Sequence, residues 1–396
     1  MRLRNVGVVL SLSCFILFAT GCWDRVEIDQ RGFVVGVAID LALPNSKHKY
    51  FGTYQIVVPG GLKQTTSGPA GGGGSTSGKA YFNISTTENS MPALAGRIST
   101  KTSRSPYFEH LKMIVISQEV AKSNANFADL LDFFLRNSEM RRGVQIIISE
   151  GRAADVFKIQ ANNENMPVDY ITSIAKNTRK TNFILPQSRI GDVHEFLVKH
   201  QSFAIQKIKI EKDQGITLAG SAIFAGDTKK MVGILTGSET QGYNFLTNQI
   251  QGGIVEAKFG GSRIDFLVER SKRKFVLQVQ DRSRLKFIIR LETEGSLDKS
   301  IANLDPSKDQ AVKSLEKRIA AIIESNSNKA IQKLQKSYKK DAIGLGAFLY
   351  QNHYKVWKPL EGNWDEGSNH FSQVEIEVQA SVIVRRIGNI NETTKG

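Results

Sequence analysis

The sequence predicts a mixed α/β chain of more than one domain: an N-terminal mixed α/β region followed by an antiparallel-sheet domain with a long packing helix. Three observations predict it. Apolar segments of helix and strand period alternate between residues 92 and 199, strands crowd together from Phe203 onward, and one long amphipathic pattern opens at Asp305-Pro306. Alternating helices and strands favour a layered α/β unit, whereas consecutive strands with short turns favour antiparallel pairing. We therefore place the domain boundary near residue 200, with the N-terminal region at 22–200 and the C-terminal domain at 201–396.

Residues 1–21 read as a signal peptide. Arg2 and Arg4 precede an apolar stretch from Val6 to Thr20, and Ala19-Thr20-Gly21 supplies small residues at a cut site. The stretch falls short of the roughly 20 apolar residues that span a bilayer. A small residue immediately before Cys22 resembles the lipobox of bacterial lipoproteins. That resemblance implies an S-diacylglyceryl group on Cys22 and an added N-acyl chain on its freed amino group. Ala19 stands where the pattern favours Leu, and an ordinary signal-peptidase cut at the same bond would leave a free thiol. Cys14 is lost with the leader, so the mature chain has no second cysteine for an internal disulfide and no cysteine cluster for a metal.

The formal net charge is +15. Such a balance fits nucleic acid, anionic lipid or an acidic polymer, and export beside a membrane favours lipid over nucleic acid. Scattered solvated charge is the plainer reading, because clusters such as Arg270 to Lys274 and Lys333 to Lys340 are local.

In order along the mature chain, strands are expected at Gly32–Ile39 and Tyr50–Val58. A flexible Gly/Ser/Thr/Pro loop is expected over 60–78. Gly73 to Lys79 matches the GxxxxGK of a phosphate-binding loop, but Ala80 stands where Ser or Thr should reach magnesium. Tyr81 to Ser85 then alternates as a strand where a helix is required, which excludes the motif. Helices follow at Pro92–Thr100, Phe127–Leu135, Ala153–Ile159, Pro167–Lys176 and Ile190–Lys199, with strands at Leu111–Ile116 and Val144–Ile148. Beyond residue 200 strands are expected at Ala204–Ile210, Ile216–Ala225, Met231–Leu235, Arg263–Val268, Phe275–Val279 and Leu285–Leu291. Val312, Leu315, Ile319, Ile322, Leu334 and Tyr338 place one apolar stripe on a helix reaching Lys339, and Val374–Val382 alternates as a final strand.

Catalytic chemistry finds little support. There is no GxSxG nucleophile elbow, and the six histidines form no HExxH or other close pair; His194 and His200 do not share a helix face. Glu109-His110 and Asp365-Glu366 read as surface or turn residues before acid-base groups. No catalytic, metal or cofactor residue is assigned, and the expectation is no enzyme and no cofactor. Trp357 and Trp364 read first as core, with a docking surface for partners as the alternative.

Gly21-Cys22-Trp23-Asp24-Arg25-Val26-Glu27-Ile28 and Gly36-Val37-Ala38-Ile39-Asp40 resemble the opening of the Ger(x)C family. The resemblance continues through His110 to Ile116, Phe134-Leu135-Arg136, Arg142 and Glu150 to Ala153. In the second half it is carried by Leu218 to Phe224, Gly233-Ile234-Leu235, Glu239 to Tyr243, Asp341 to Gly346, Trp357, Asn363-Trp364-Asp365 and Val382 to Gly388. Members of the family it resembles are the lipoprotein C subunits of bacterial spore-germination nutrient receptors. The resemblance implies three mixed α/β domains, hence two subdomains within 22–200. It further implies lipid anchoring at Cys22 on the outer face of the spore inner membrane, and assembly with integral-membrane A-type and B-type subunits. Contact with the small-molecule nutrient is left open. The competing class is a solute-binding lipoprotein that serves a permease, which the unlike halves of the chain disfavour.

Overall fold

The computed structural model describes residues 30–58, 80–123, 127–160, 163–186, 188–211, 215–259, 261–281, 284–297 and 309–387. Residues 1–21, expected as a signal peptide, Cys22, residues 60–78, expected as a loop, and Asp305-Pro306 lie outside the described residues.

The first sheet has ten strands: β1 (Arg31–Leu41), β2 (Tyr50–Val57), β3 (Tyr81–Glu88), β4 (Ser105–Tyr107), β5 (Met113–Ser117), β6 (Gln145–Ser149), β7 (Phe203–Ile210), β8 (Ile216–Thr217), β9 (Ser221–Phe224) and β10 (Met231–Leu235). Its order is β10-β9-β7-β6-β5-β1-β2-β3, with β4 beside β1 and β8 beside β7. At its centre β1, β5, β6 and β7 run parallel. Central parallel strands are covered on both faces and read as unbroken apolar runs, as Met113–Ser117 and Gln145–Ser149 do. Period-two alternation then divides the core. Ile114, Ile116, Ile146 and Ile148 face helices α1 (Met91–Ser99) and α3 (Phe127–Arg136), which precede and follow the short α2 (Gln118–Lys122). Met113, Val115 and Ile147 face α4 (Ala153–Val156) and α5 (Pro167–Ala175). Helix α6 (Ile190–Val198) joins the first of these layers through Ile190, Val193 and Leu197.

After α7 (Gly237–Leu246), a second sheet is built from β11 (Ile254–Phe259), β12 (Ser262–Asp281), β13 (Arg284–Leu297) and the last strand, β14 (Glu375–Ile387), in that order. Between β13 and β14 the chain forms α8 (Asp309–Gln332), a π-helical turn at Lys333–Tyr338, α9 (Leu345–Asn352) and α10 (Tyr354–Trp357). Leu315, Ile319 and Leu334 of the expected stripe are buried in the core between α8 and this sheet, with Val312, Ile322 and Tyr338 packed at its margin.

The structure revises the sequence reading in four places. The first sheet runs through residue 200, because β7 pairs with β6 and the β9–β10 hairpin extends that same sheet. The strand expected over Ile216–Ala225 is two, interrupted at Gly220, whose φ of +96° favours glycine. Arg263–Val268 and Phe275–Val279 are halves of one 20-residue strand, with a bulge between Val268 and Arg270. The second sheet is mixed, since β14 runs parallel to β13 after the α8 crossover, and β11 is a strand the sequence reading lacked.

Candidate functional site

In open parallel sheets the natural ligand crevice lies beyond the carboxyl ends of the strands where neighbouring connections diverge. Here that place is between β1 and β5, since the chain leaves β1 toward β2 and leaves β5 toward β6. It is filled by the protein itself. Asp40, 3% exposed at the end of β1, accepts from the N–H groups of Ala153 (2.7 Å) and Ala154 (2.9 Å) at the start of α4. Burial raises its carboxyl above the ordinary range, against these donors, Arg152 and Ser117, which act to lower it. The N-terminus that would receive a ligand's anion is thus occupied by Asp40.

A second polar cluster joins the two sheets. Asp341, after the π-helical turn, is buried and accepts four hydrogen bonds. Oδ1 takes the N–H of Gly344 (2.9 Å) and Leu345 (3.1 Å), and Oδ2 takes Gly346 N (2.6 Å) and Trp364 Nε1 (2.7 Å). Burial pushes its carboxyl up while the donors oppose the rise. Its own N–H donates to Asp365 Oδ2 (3.1 Å), which also accepts from Ser202 Oγ (2.7 Å), just before β7. Lys340 Nζ reaches Asp365 O (2.8 Å) and Asp227 Oδ2 (2.8 Å) in the β9–β10 hairpin. Burial alone would raise Asp227, but Lys340 and the Thr228 N–H outweigh it and hold the carboxyl below its usual range.

Trp364 is 4% exposed, and its ring lies 6.2 Å from Phe287. It is a core residue, so the docking-surface reading of Trp364 is corrected: the indole N–H that a partner would need is bonded to Asp341. Trp357 is half-buried, 5.9 Å from Trp364 between ring centroids. Beside it on α9 and α10, Tyr350 and Tyr354 are 56% and 51% exposed and pack edge to face at 5.9 Å. The sequence reading missed this pair. The i, i+4 spacing of two tyrosines was its only available signal.

Among the described residues, no group of three or more His, Cys, Asp or Glu is placed to hold a metal ion, and no helix is long and apolar enough to cross a membrane. Glu109 accepts from Tyr107 and pairs with Arg141 at 3.6 Å, while Asp365 belongs to the junction. Gly73 to Lys79 lies outside the described residues, and β3 follows it as the strand reading expected.

The fold and its junction define a two-sheet α+β protein whose buried polar groups fix one part of the chain against another. The chain belongs to the spore germination B3/GerAC-like family: the model for the spore germination protein N-terminal domain matches residues 24–210, and that for the B3/GerAC-like C-terminal domain matches 219–388. Spore germination protein B3 of Bacillus subtilis is 28% identical over 391 residues, covering 96% of this chain and 98% of that protein. Spore germination protein YndF of the same organism is 26% identical, covering 98% of each chain. The crystal structure of the GerBC protein superposes with a TM-score of 0.60 at 25% identity, covering 91% of this chain and all of that one. The family is one of germinant receptor subunits.

Proposed function

We propose that this chain is the non-enzymatic, lipid-anchored C subunit of a spore germinant receptor, needed for nutrient-triggered germination. It is held by Cys22 on the outer face of the spore inner membrane and assembles with integral-membrane A-type and B-type subunits. The observation that carries the reading is end-to-end similarity to curated germination proteins across both family domains. The internally filled crevice at Asp40 supports a scaffold over a carrier of solutes. The half-buried Trp357 with exposed Tyr350 and Tyr354 is the aromatic surface offered to the integral-membrane subunits.

One stable anchor needs two acyl signals, because a single chain holds only marginally. In spores carrying Cys22→Ala, the protein should leave the inner-membrane fraction and nutrient response should fall. Mass spectrometry of the wild-type N-terminal peptide should find diacylglycerol on Cys22. An unmodified thiol, or full nutrient response in the variant, would overturn the anchored-subunit reading.

A further inference from the structure

We propose that the end of the first sheet where the chain enters β1 is a second, electrostatic membrane contact, seated on anionic lipid headgroups. The proposal rests on the Cys22 anchor for its orientation and on the structure for its chemistry.

The strand registers bring scattered residues to one rim. Because β1, β5, β6 and β7 are parallel, their N-terminal ends lie together. Arg31 opens β1, and Arg104 immediately precedes β4, which pairs with β1 from Arg31↔Ser105 onward. Arg141 and Arg142 lie in the turn before β6, and Arg189 stands opposite Gln145 in an isolated bridge to the start of that strand. These five arginines come from four separate stretches of sequence, so no run of charge announces them. Arg141, Arg142 and Arg189 are exposed and the other two are half-buried. The Arg31 guanidinium sits 4.1 Å over the half-buried Tyr107 ring, which holds the cation at the rim without neutralising it.

Carboxylates share this end. Glu109 pairs with Arg141 at 3.6 Å, Glu139 accepts from Phe108 N, and Glu195 is engaged by Lys199 and also feels the charge of Arg142. Arg141 alone of the five lies within ion-pair distance of a described carboxylate. Arg31, Arg104 and Arg189 are left for an external anion, Arg142 is only partly offset by Glu195, and the guanidinium fork suits a phosphate.

A bilayer is favoured over a protein partner by the tether. Residues 22–30 join Cys22 to Arg31, and nine residues reach at most about 30 Å. An acylated Cys22 therefore keeps Arg31, at this rim, within that distance of the headgroups. Each basic residue near an anionic surface strengthens binding about fivefold.

The test uses the chain from residue 22 with Cys22→Ala, so that no lipid anchor contributes, and sedimentation with vesicles of phosphatidylcholine alone or with 30% phosphatidylglycerol. Binding to the anionic vesicles only, weakened by added salt, is expected. The combined variant Arg104→Gln, Arg142→Gln, Arg189→Gln should bind about a hundredfold more weakly. The control variant Lys317→Gln, Arg318→Gln, Lys329→Gln, with the same loss of charge on the exposed side of α8, should bind like the parent. Equal loss in both variants would assign binding to net charge and overturn the rim. Unchanged vesicle binding in the rim variant, with lost recovery of integral-membrane subunits from spores, would give the surface to a protein partner and overturn it too. Because this chain carries no lipid, failure here leaves the Cys22 reading standing, and an unmodified Cys22 in spores leaves this result standing.

Discussion

Asp341 shows how one side chain fixes a local structure that the backbone alone would not hold. It gathers the N–H groups of Gly344, Leu345 and Gly346, which open α9 and have no partner in the preceding turn, and adds the indole of Trp364 from 23 residues away. Both oxygens act only as acceptors, so an amide is no substitute. In Asp341→Asn the new NH2 group would face two N–H donors. Leaving buried donors unsatisfied costs about 1 to 3 kcal/mol each. Asp341→Asn and Asp341→Ala should therefore each lower the melting temperature by about 10 °C, on a scale of about 2 to 4 °C per kcal/mol. Trp364→Phe, tested beside them by calorimetry, removes one of the four donors and should lose less than either. An Asn variant melting with the wild type would show that the carboxylate is not the organising acceptor. None of this was legible in the sequence, because the acceptor and its farthest donor meet only after α9 and α10 have folded. For the same reason Trp357 and Trp364 looked alike as a pair of tryptophans, and only packing against Phe287 and Asp341 separates a core indole from a half-exposed one.

At the scale of elements, open strand edges are a hazard that side chains here manage. The Tyr338 hydroxyl accepts from Ile234 N (3.0 Å) and donates to Ile234 O (2.7 Å), so the π-helical turn closes the outer edge of β10. The ring fits because residue 233 is glycine: a Cβ there would stand 2.1 Å from it. On the second sheet, Glu316 and Glu324 of α8 accept from Val384 N (2.9 Å) and Ala380 N (2.8 Å) along β14. A double-mutant cycle tests the β10 closure. Gly233→Ala alone should destabilise by about 1 to 3 kcal/mol through overpacking, but be nearly neutral once Tyr338→Ala has cleared the space. Additive losses in urea titrations would dismiss the coupling. The strands themselves were readable, from an unbroken apolar run at Met113–Ser117 and from alternation along Glu375–Ile387. Their partners were not. Close-set strands after Phe203 look alike whether they extend the first sheet, as β7, β9 and β10 do, or begin the second. The parallel pairing of β14 depends on α8 crossing between strands, which lies beyond any local pattern.

Across the whole molecule, Lys340 ties the segment after α8 to Asp227 in the β9–β10 hairpin of the first sheet, and Lys333 ties it to Glu239 in the first turn of α7 at 2.8 Å. Burial would raise Glu239, but its bonds to Lys333 and to Thr236 prevail, and both carboxyls lie below their ordinary values. A carboxyl depressed in the folded state lends stability above its unfolded pKa, about 4, and loses it as the pH falls through the folded value. Asp341 has the opposite sign: its carboxyl is raised, so its proton-linked contribution is in place below the ordinary value and fades as the pH rises through the folded one. Acid should therefore loosen the ties between the units before it disturbs the Asp341 turn. Amide exchange, corrected for its intrinsic pH dependence, should lose protection at Ile234 between about pH 5 and pH 3 while Gly346 keeps its own. Lys340→Met should remove part of the pH dependence at Ile234, because Asp227 then loses the Lys340 charge that holds its proton off. Parallel loss at Ile234 and Gly346, or an unaltered profile in Lys340→Met, would mean that the two sheets are held together by apolar contact and that these ion pairs add nothing to it.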